Sequence, residues 1–197
     1  MNRERLRHGI QPVYEAFYVQ SMLFNTRSAI GSIEKVSSIF KFISEGQYKK
    51  PGGEVEMDEI LNNLQNIIVQ GAAISRYCWP VRKKHETRGQ QIRQALEVLE
   101  SSPLFSRDLR NEMEHFDEKL DLYLCNDIAG IILPQYVGVG LGTDDVAGHI
   151  FRAYFVDTGV FSILGKSFEV PPIASEICRI HNKLKQCTDL GNRLSYS

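Results

Sequence analysis

Three residues in the middle of the chain have the types and spacing to act on a phosphate group. They are Arg110, Asn111 and His115, in the stretch Leu109–Asp121 (LRNEMEHFDEKLD). Arginine carries a fixed positive charge and a planar fork of donors that suits phosphate. Histidine titrates near neutral pH and can give or take a proton, whereas asparagine can only orient a neighbour through hydrogen bonds. These three residues form the first candidate site.

The same spacing also fits an ordinary charged helix face. Arg110 and Glu114 are four residues apart, so on a helix they can form a surface ion pair worth about 0.5 kcal/mol. On a helix that turns by about 100° per residue, Arg110 and His115 both fall away from the apolar side. Periodicity alone therefore favours an exposed ionic face, and a wider pattern is needed to favour a site.

The elements that would position this stretch are helices. Apolar residues at three- and four-residue spacing predict a long helix over Pro12–Ser44 and a second over Ile60–Cys78. The second helix should end before Pro80, which disfavours helical geometry in the preceding residue. A third, shorter helix is predicted in the stretch RGQQIRQALEVLE, with three inward residues: Ile92, Leu96 and Leu99.

A fourth helix is predicted to start at Ser102, as its cap, with Pro103 in the first turn. It carries the candidate site. Its expected core positions are Phe105, Leu109, Met113, Phe116, Leu120 and Tyr123. Four consecutive helices joined by short or modest loops are typical of a helical bundle.

The character of the sequence changes after about Asp127, where glycines and β-branched residues become frequent. Aromatic and β-branched runs around Asp157–Gly159 predict an antiparallel hairpin. A last helix should follow Pro171, with five inward residues: Ile173, Ile177, Ile180, Leu184 and Cys187. The predicted fold is therefore mainly α in one domain. It has a four-helix bundle at 1–127, a glycine-rich loop and small β-hairpin at 128–170, and a C-terminal helix at 171–197.

The sequence RNEMEH at 110–115, placed on the fourth helix of a bundle, resembles the HEPN superfamily. The general motif of that family is arginine, four to six residues and then histidine, and asparagine directly after the arginine is its most typical form. The resemblance covers about residues 12–127. It implies a HEPN-like four-helix bundle that forms a homodimer, with the two motif helices facing each other across a cleft.

The activity that this resemblance implies is metal-independent cleavage of RNA by an endoribonuclease of toxin or antiphage-effector type. His115, present twice in the dimer, would act as acid and base, while Arg110 would stabilise the phosphorane-like transition state. Asn111 would orient the histidine or the phosphate. The expected partners are an RNA substrate and an antitoxin or regulatory protein, and no cofactor or metal is expected.

Two features depart from the nuclease pattern. In the toxin branch that is paired with a nucleotidyltransferase antitoxin, a tyrosine commonly stands two residues after the histidine, but here that residue is Asp117. Tyrosine modification by such a partner is therefore not expected. Acidic residues also surround His115 and would repel phosphate. The alternative is a catalytically silent HEPN-like module for dimerisation or partner binding.

The segment Arg76–Arg93 is a second candidate, for RNA binding. It contains six lysines and arginines, a single acidic residue and two aromatic residues that could stack on single-stranded bases. An ordinary solvated loop whose aromatic residues cover the core is the competing interpretation. The candidate RNA-binding residues are Trp79, Arg82, Lys83, Lys84 and Arg88.

The composition of the chain bears on polyanion binding, cellular compartment and metal binding. The 197-residue chain has 23 basic and 24 acidic residues and a net charge of -1, which argues against a general polyanion binder. Its four cysteines are scattered, and it has no apolar run long enough for a membrane span, so we expect a soluble cytoplasmic protein. Cys178, His181 and Cys187 are too few for a metal site.

Overall fold

The computed structural model describes residues 9–46, 55–106, 108–109, 116–125, 132–140 and 149–194. In this part the protein is mainly helical and has one small sheet. The expectation of a mainly α protein is confirmed. Within the described ranges there are five α-helices, and the sheet has four strands rather than the two of a simple hairpin.

The two longest helices, α1 (Glu15–Ser44) and α2 (Met57–Cys78), pack against each other. Their apolar residues supply much of the core, and the stripe that the periodicity predicted for α2, from Ile60 to Cys78, is buried. A polar contact also joins them. Asn66 Nδ2 lies 2.9 Å from Ser32 Oγ and 3.3 Å from the carbonyl oxygen of Ser28, so its donors are satisfied in the helix interface. The helix α2 ends where expected, just before Trp79 and Pro80.

Helix α3 (Glu86–Ala95) is shorter than the sequence predicted, and the inward position assigned to Leu99 is wrong. Glu97 adopts a positive φ of 53° and ends the helix. The Val98 N–H then bonds the Arg93 carbonyl at 2.8 Å, as in a Schellman turn. This reversal buries Val98 and leaves Leu99 68% exposed.

The region expected to hold the fourth helix begins with a short 3-10 turn, Pro103–Phe105, and the described helix α4 spans Phe116–Leu124. Ser102, predicted to cap the fourth helix, caps this 3-10 turn instead, since its Oγ accepts the Leu104 N–H at 3.3 Å. Phe105, expected in the core, is 44% exposed. Met113 lies outside the described residues, so the predicted core side of this helix is tested only in part.

The sheet contains β1 (Ile132–Gly138), β2 (His149–Phe155), β3 (Val160–Ile163) and β4 (Lys166–Glu169) in that order. Strands β2, β3 and β4 pair antiparallel, whereas β1 pairs parallel to β2. The turn between β2 and β3 contains the predicted residues, and Gly159 takes the φ of +68° that it requires. The predicted hairpin is therefore present as β2 and β3, but β1 and β4 extend it to a mixed sheet of four strands.

Helix α5 (Val170–Asp189) follows β4 directly and packs on α1 and α2. All five of its predicted inward residues are buried. After the helix, the chain is tied back to α1 by Glu15, which is 1% exposed. Its carboxylate accepts the Leu194 N–H at 3.0 Å and lies 2.9 Å from Arg193 Nε, so the buried charge is compensated.

Buried side chains of the sheet and of the helices belong to one hydrophobic cluster, which includes Tyr154, Phe161 and Phe168 from the strands. The sheet is therefore packed on the helices rather than attached at their edge. Among the helices in the described ranges, none is long and apolar enough to cross a bilayer.

Candidate nucleic-acid interface

The three candidate catalytic residues, Arg110, Asn111 and His115, lie outside the described residues. The chain on either side of them is described. Leu109 is fully buried, and its N–H lies 3.4 Å from Ser106 Oγ. Helix α4 begins at Phe116, directly after the histidine.

The candidate RNA-binding residues do not share one surface site. Trp79 is only 7% exposed, with its ring 5.3 Å from that of Phe105 and 5.6 Å from the Arg93 guanidinium carbon. A buried ring cannot stack on an RNA base, so the structure places Trp79 in the core, as the competing interpretation of this segment had it. Lys83 and Lys84 are exposed and line a shallow depression together with Glu86.

Arg82 and Arg88, in contrast, line one groove between α1 and the end of α2, which we call the α1–α2 groove. Its volume is about 750 Å³, within the range of small-molecule sites. Ser21 and Asn25 add polar groups. The basic lining residues are Arg76, Arg82, His85 and Arg88, and the apolar and aromatic ones are Phe24, Ala73, Tyr77, Pro80 and Val81.

The wall of this groove is held by α3. Gly89 packs so closely on the end of α2 that a Cβ there would lie 2.6 Å from the Cys78 carbonyl oxygen. Two arginines of α3 donate to carbonyls at the end of α2. Arg88 Nη2 lies 3.2 Å from the Arg76 oxygen, and Arg93 Nη1 lies 2.5 Å from the Cys78 oxygen. The end of α2, where its last carbonyls lack helical partners, is thus fixed in place.

Tyr77, which lines the groove, packs against Tyr18. Tyr18 and Tyr77 meet edge to face with ring centroids 6.3 Å apart, and the Arg88 guanidinium lies within 5.9 Å of both rings. The Tyr77 hydroxyl is 2.6 Å from Ser21 Oγ. Tyr77 and Arg88 are therefore held by contacts with other side chains of the protein.

Two apolar side chains of the groove remain open to solvent. Phe24, on α1, is 74% exposed, and Val81, after α2, is 87% exposed. Sequence reasoning did not find this pair. The available signal was Asn25, the one polar residue within the apolar rhythm of α1, which also lines the groove.

The groove has a positive electrostatic field. Partial burial lowers the pKa of His85, and the positive charges of Arg88, Lys84 and Arg82 lower it further. None of the described residues that line the groove is acidic. Since the whole chain has a net charge of -1, this concentration of positive charge is local and suits an anionic ligand.

The described part of the chain contains no metal-binding cluster, and its buried Cys78 is not placed as a nucleophile. It contains no group of three or more histidine, cysteine or acidic residues placed to bind a metal ion. His181 Nδ1 lies 2.9 Å from the buried Thr26 Oγ1, and Cys187 is buried. Burial raises the pKa of Cys78 to about 12, so this thiol is a core residue rather than a nucleophile.

Comparison with known proteins gives no assignment: no family model, curated protein or solved structure matches the chain.

Proposed function

We propose that the protein is a metal-independent endoribonuclease of the HEPN type, acting as a homodimer with toxin or antiphage-effector activity. The observation that carries the proposal is the motif RNEMEH at 110–115 in a mainly helical chain. The four-helix bundle of that family is part of the proposal. The α1–α2 groove supports it further, because a positive, partly apolar groove suits a single-stranded RNA.

In the proposed reaction, a base takes the proton of an RNA 2′-hydroxyl, which attacks the adjacent phosphorus. The bond to the 5′-oxygen of the next nucleotide breaks, and an acid protonates that oxygen. This leaves a 2′,3′-cyclic phosphate and a 5′-hydroxyl. The two His115 side chains of the dimer act as base and acid, and Arg110 binds the phosphoryl oxygens. Asn111 orients the histidine or the phosphate.

The test is cleavage of single-stranded RNA by the purified protein in EDTA. Wild type should cut and leave cyclic-phosphate ends, whereas Arg110→Ala and His115→Ala should each lose about a hundredfold or more, the usual contribution of an acid–base group or an electrostatic donor. Arg27→Ala is the matched control, since Arg27 is an exposed arginine of α1 outside the α1–α2 groove. Cleavage that needs a metal, or that all variants share, would exclude this mechanism.

A second candidate function is a silent HEPN-like module that binds a partner protein without turnover. It is favoured by Asp117 and Glu118, which are exposed in the first turn of α4, next to the motif, and would repel phosphate. Growth on overexpression separates the two functions. Arrest that His115→Ala relieves supports the nuclease, whereas unimpaired growth together with no cleavage in EDTA supports the module.

A further inference from the structure

We infer that the α1–α2 groove is a binding site for a nucleotide unit of single-stranded RNA, with the base against Phe24 and Val81 and the phosphate on Arg82. This inference deepens the proposed function by assigning an RNA subsite that is separate in sequence from the Arg110–His115 motif. The motif supplies the chemistry, and the groove holds the strand.

The first reason is the combination of exposed apolar side chains and positive charge. Phe24 and Val81 are 74% and 87% exposed on the same groove, although burying apolar surface is favourable. A base presents a planar apolar face that stacks on an aromatic ring. Arg82, on the same groove, matches the phosphate that accompanies every base of a strand.

The second reason is the distribution of free and engaged groups. Arg88 is committed to the Arg76 carbonyl and to two tyrosine rings, and so forms part of the wall. Arg82 is exposed, precedes the 3-10 turn Lys83–His85, and forms no ion pair with any described residue. Its guanidinium is therefore available to a ligand without breaking an ion pair to any residue that the structure describes.

The third reason is that the site is preformed. Gly89 and Arg93 fix the end of α2, and contacts with Tyr18 and Ser21 hold the lining residue Tyr77 in place. A preformed site binds a ligand without a large ordering cost. The volume of about 750 Å³ has room for a nucleotide, and no carboxylate among the described lining residues opposes its phosphate.

The test uses a fluorescent, single-stranded RNA of about eight nucleotides, a typical site size for such binding. Its riboses are 2′-O-methylated, so it has no 2′-hydroxyl to attack and cannot be cut by the proposed reaction. Binding to the full chain is measured by anisotropy in EDTA. Phe24→Ala and Arg82→Ala are the groove variants. Phe17→Ala and Arg27→Ala are the controls, since Phe17 is 71% exposed on α1 and neither residue lines the groove.

Phe24→Ala should weaken binding by roughly fivefold to 150-fold, the contribution of one base–aromatic stack. Arg82→Ala should weaken binding and reduce the slope of log affinity against log salt by about 0.7, the value for one phosphate contact on a single strand. Both controls should bind like wild type. Equal binding by wild type and both groove variants, or equal losses in variants and controls, would overturn the inference.

Competitors identify the source of the nucleotide. Adenosine monophosphate should displace the probe only at concentrations far above those of an unlabelled RNA octamer, because the strand makes additional phosphate contacts. A mononucleotide that competes as well as the octamer would assign the groove to a free nucleotide. Stronger displacement by a peptide of aspartate, glutamate and phenylalanine would assign it to a protein. Either result would overturn the RNA assignment.

The groove and the nuclease can fail separately. If the groove variants lose binding to the methylated probe and wild type cuts no cleavable RNA, the groove stands and the nuclease proposal fails. If wild type cuts RNA through His115 while Phe24→Ala and Arg82→Ala bind normally, the nuclease stands and the groove assignment fails.

Discussion

Adding one methyl group at Gly89 should lower the stability of the protein, because α3 comes closest to the end of α2 at this residue. A Cβ there would lie 2.5 Å from Pro80 Cδ and 2.6 Å from the Cys78 carbonyl oxygen. A proline ring and a backbone oxygen cannot rotate away as a flexible side chain can, so the two segments must move apart. Overpacking of this kind costs about 1–3 kcal/mol.

An opposing effect has to be subtracted. Alanine is favoured over glycine within a helix by about 1 kcal/mol. Because both contacts of the new methyl group at Gly89 are far shorter than van der Waals distance, we take the upper end of the cost. The net expectation for Gly89→Ala is a loss of about 2 kcal/mol in the free energy of unfolding.

Gly31 provides a matched control in α1. A Cβ there would meet no atom of the described residues within 4 Å apart from its own chain neighbours and helix backbone. Gly31→Ala therefore receives the helix-propensity gain without the steric cost, and should stabilise the protein by up to about 1 kcal/mol. The same substitution is expected to have opposite signs at the two glycines.

Urea unfolding followed by circular dichroism measures both variants. Gly89→Ala should lower the midpoint and Gly31→Ala should raise it, each without a change in the m-value. For a chain of this size, the loss at Gly89 corresponds to a melting temperature lower by about 4–8 °C. A Gly89→Ala protein as stable as wild type would refute the close contact between α3 and α2.

Two further predictions concern the core and the response to acid. Leu96→Ala should lower the free energy of unfolding by about 2–5 kcal/mol, because Leu96 is fully buried. Leu99→Ala should change it by less than about 0.5 kcal/mol, because Leu99 is 68% exposed. Equal effects of the two substitutions in urea unfolding would contradict this fold. Burial, and then Lys185 and Arg27, lower the pKa of His181, so the unfolded chain binds its proton more readily. The stability that neutral His181 contributes should be fully present above about pH 6.5 and should be lost as the pH falls towards the lower pKa of the folded state. Urea midpoints measured between about pH 7.5 and 5.5 should therefore fall with pH, and should fall less in His181→Gln.

Helix periodicity identified α2 and α5 from the sequence, with the five inward residues of α5 all correct. A continuous apolar stripe is a local property of the chain, because it depends only on the 3.6-residue repeat. The sequence did not predict where α3 ends. Glu97 takes a left-handed conformation that glycine usually adopts, so the residue type gave no stop signal.

The sheet was only partly predictable because its pairing is not local. The turn before Gly159 joins neighbouring strands and leaves a pattern in the sequence. Strand β1, in contrast, pairs parallel to β2 and contains Pro134, which reads as a break in a strand. Its position at the edge of the sheet tolerates a residue without an N–H, but only the tertiary structure shows that it is an edge.

The sequence by itself determined the mainly helical class, the core side of α2 and α5 and the Arg110–His115 motif, because residue type and spacing are properties of the chain alone. The tertiary structure decided which side chains share a surface. It buried Trp79, turned Lys83 and Lys84 to a different depression from Arg82, and placed Phe24 of α1 beside residues more than fifty positions later in the chain. Exposure and proximity of this kind follow from how helices pack on one another, and no local pattern in the sequence encodes them.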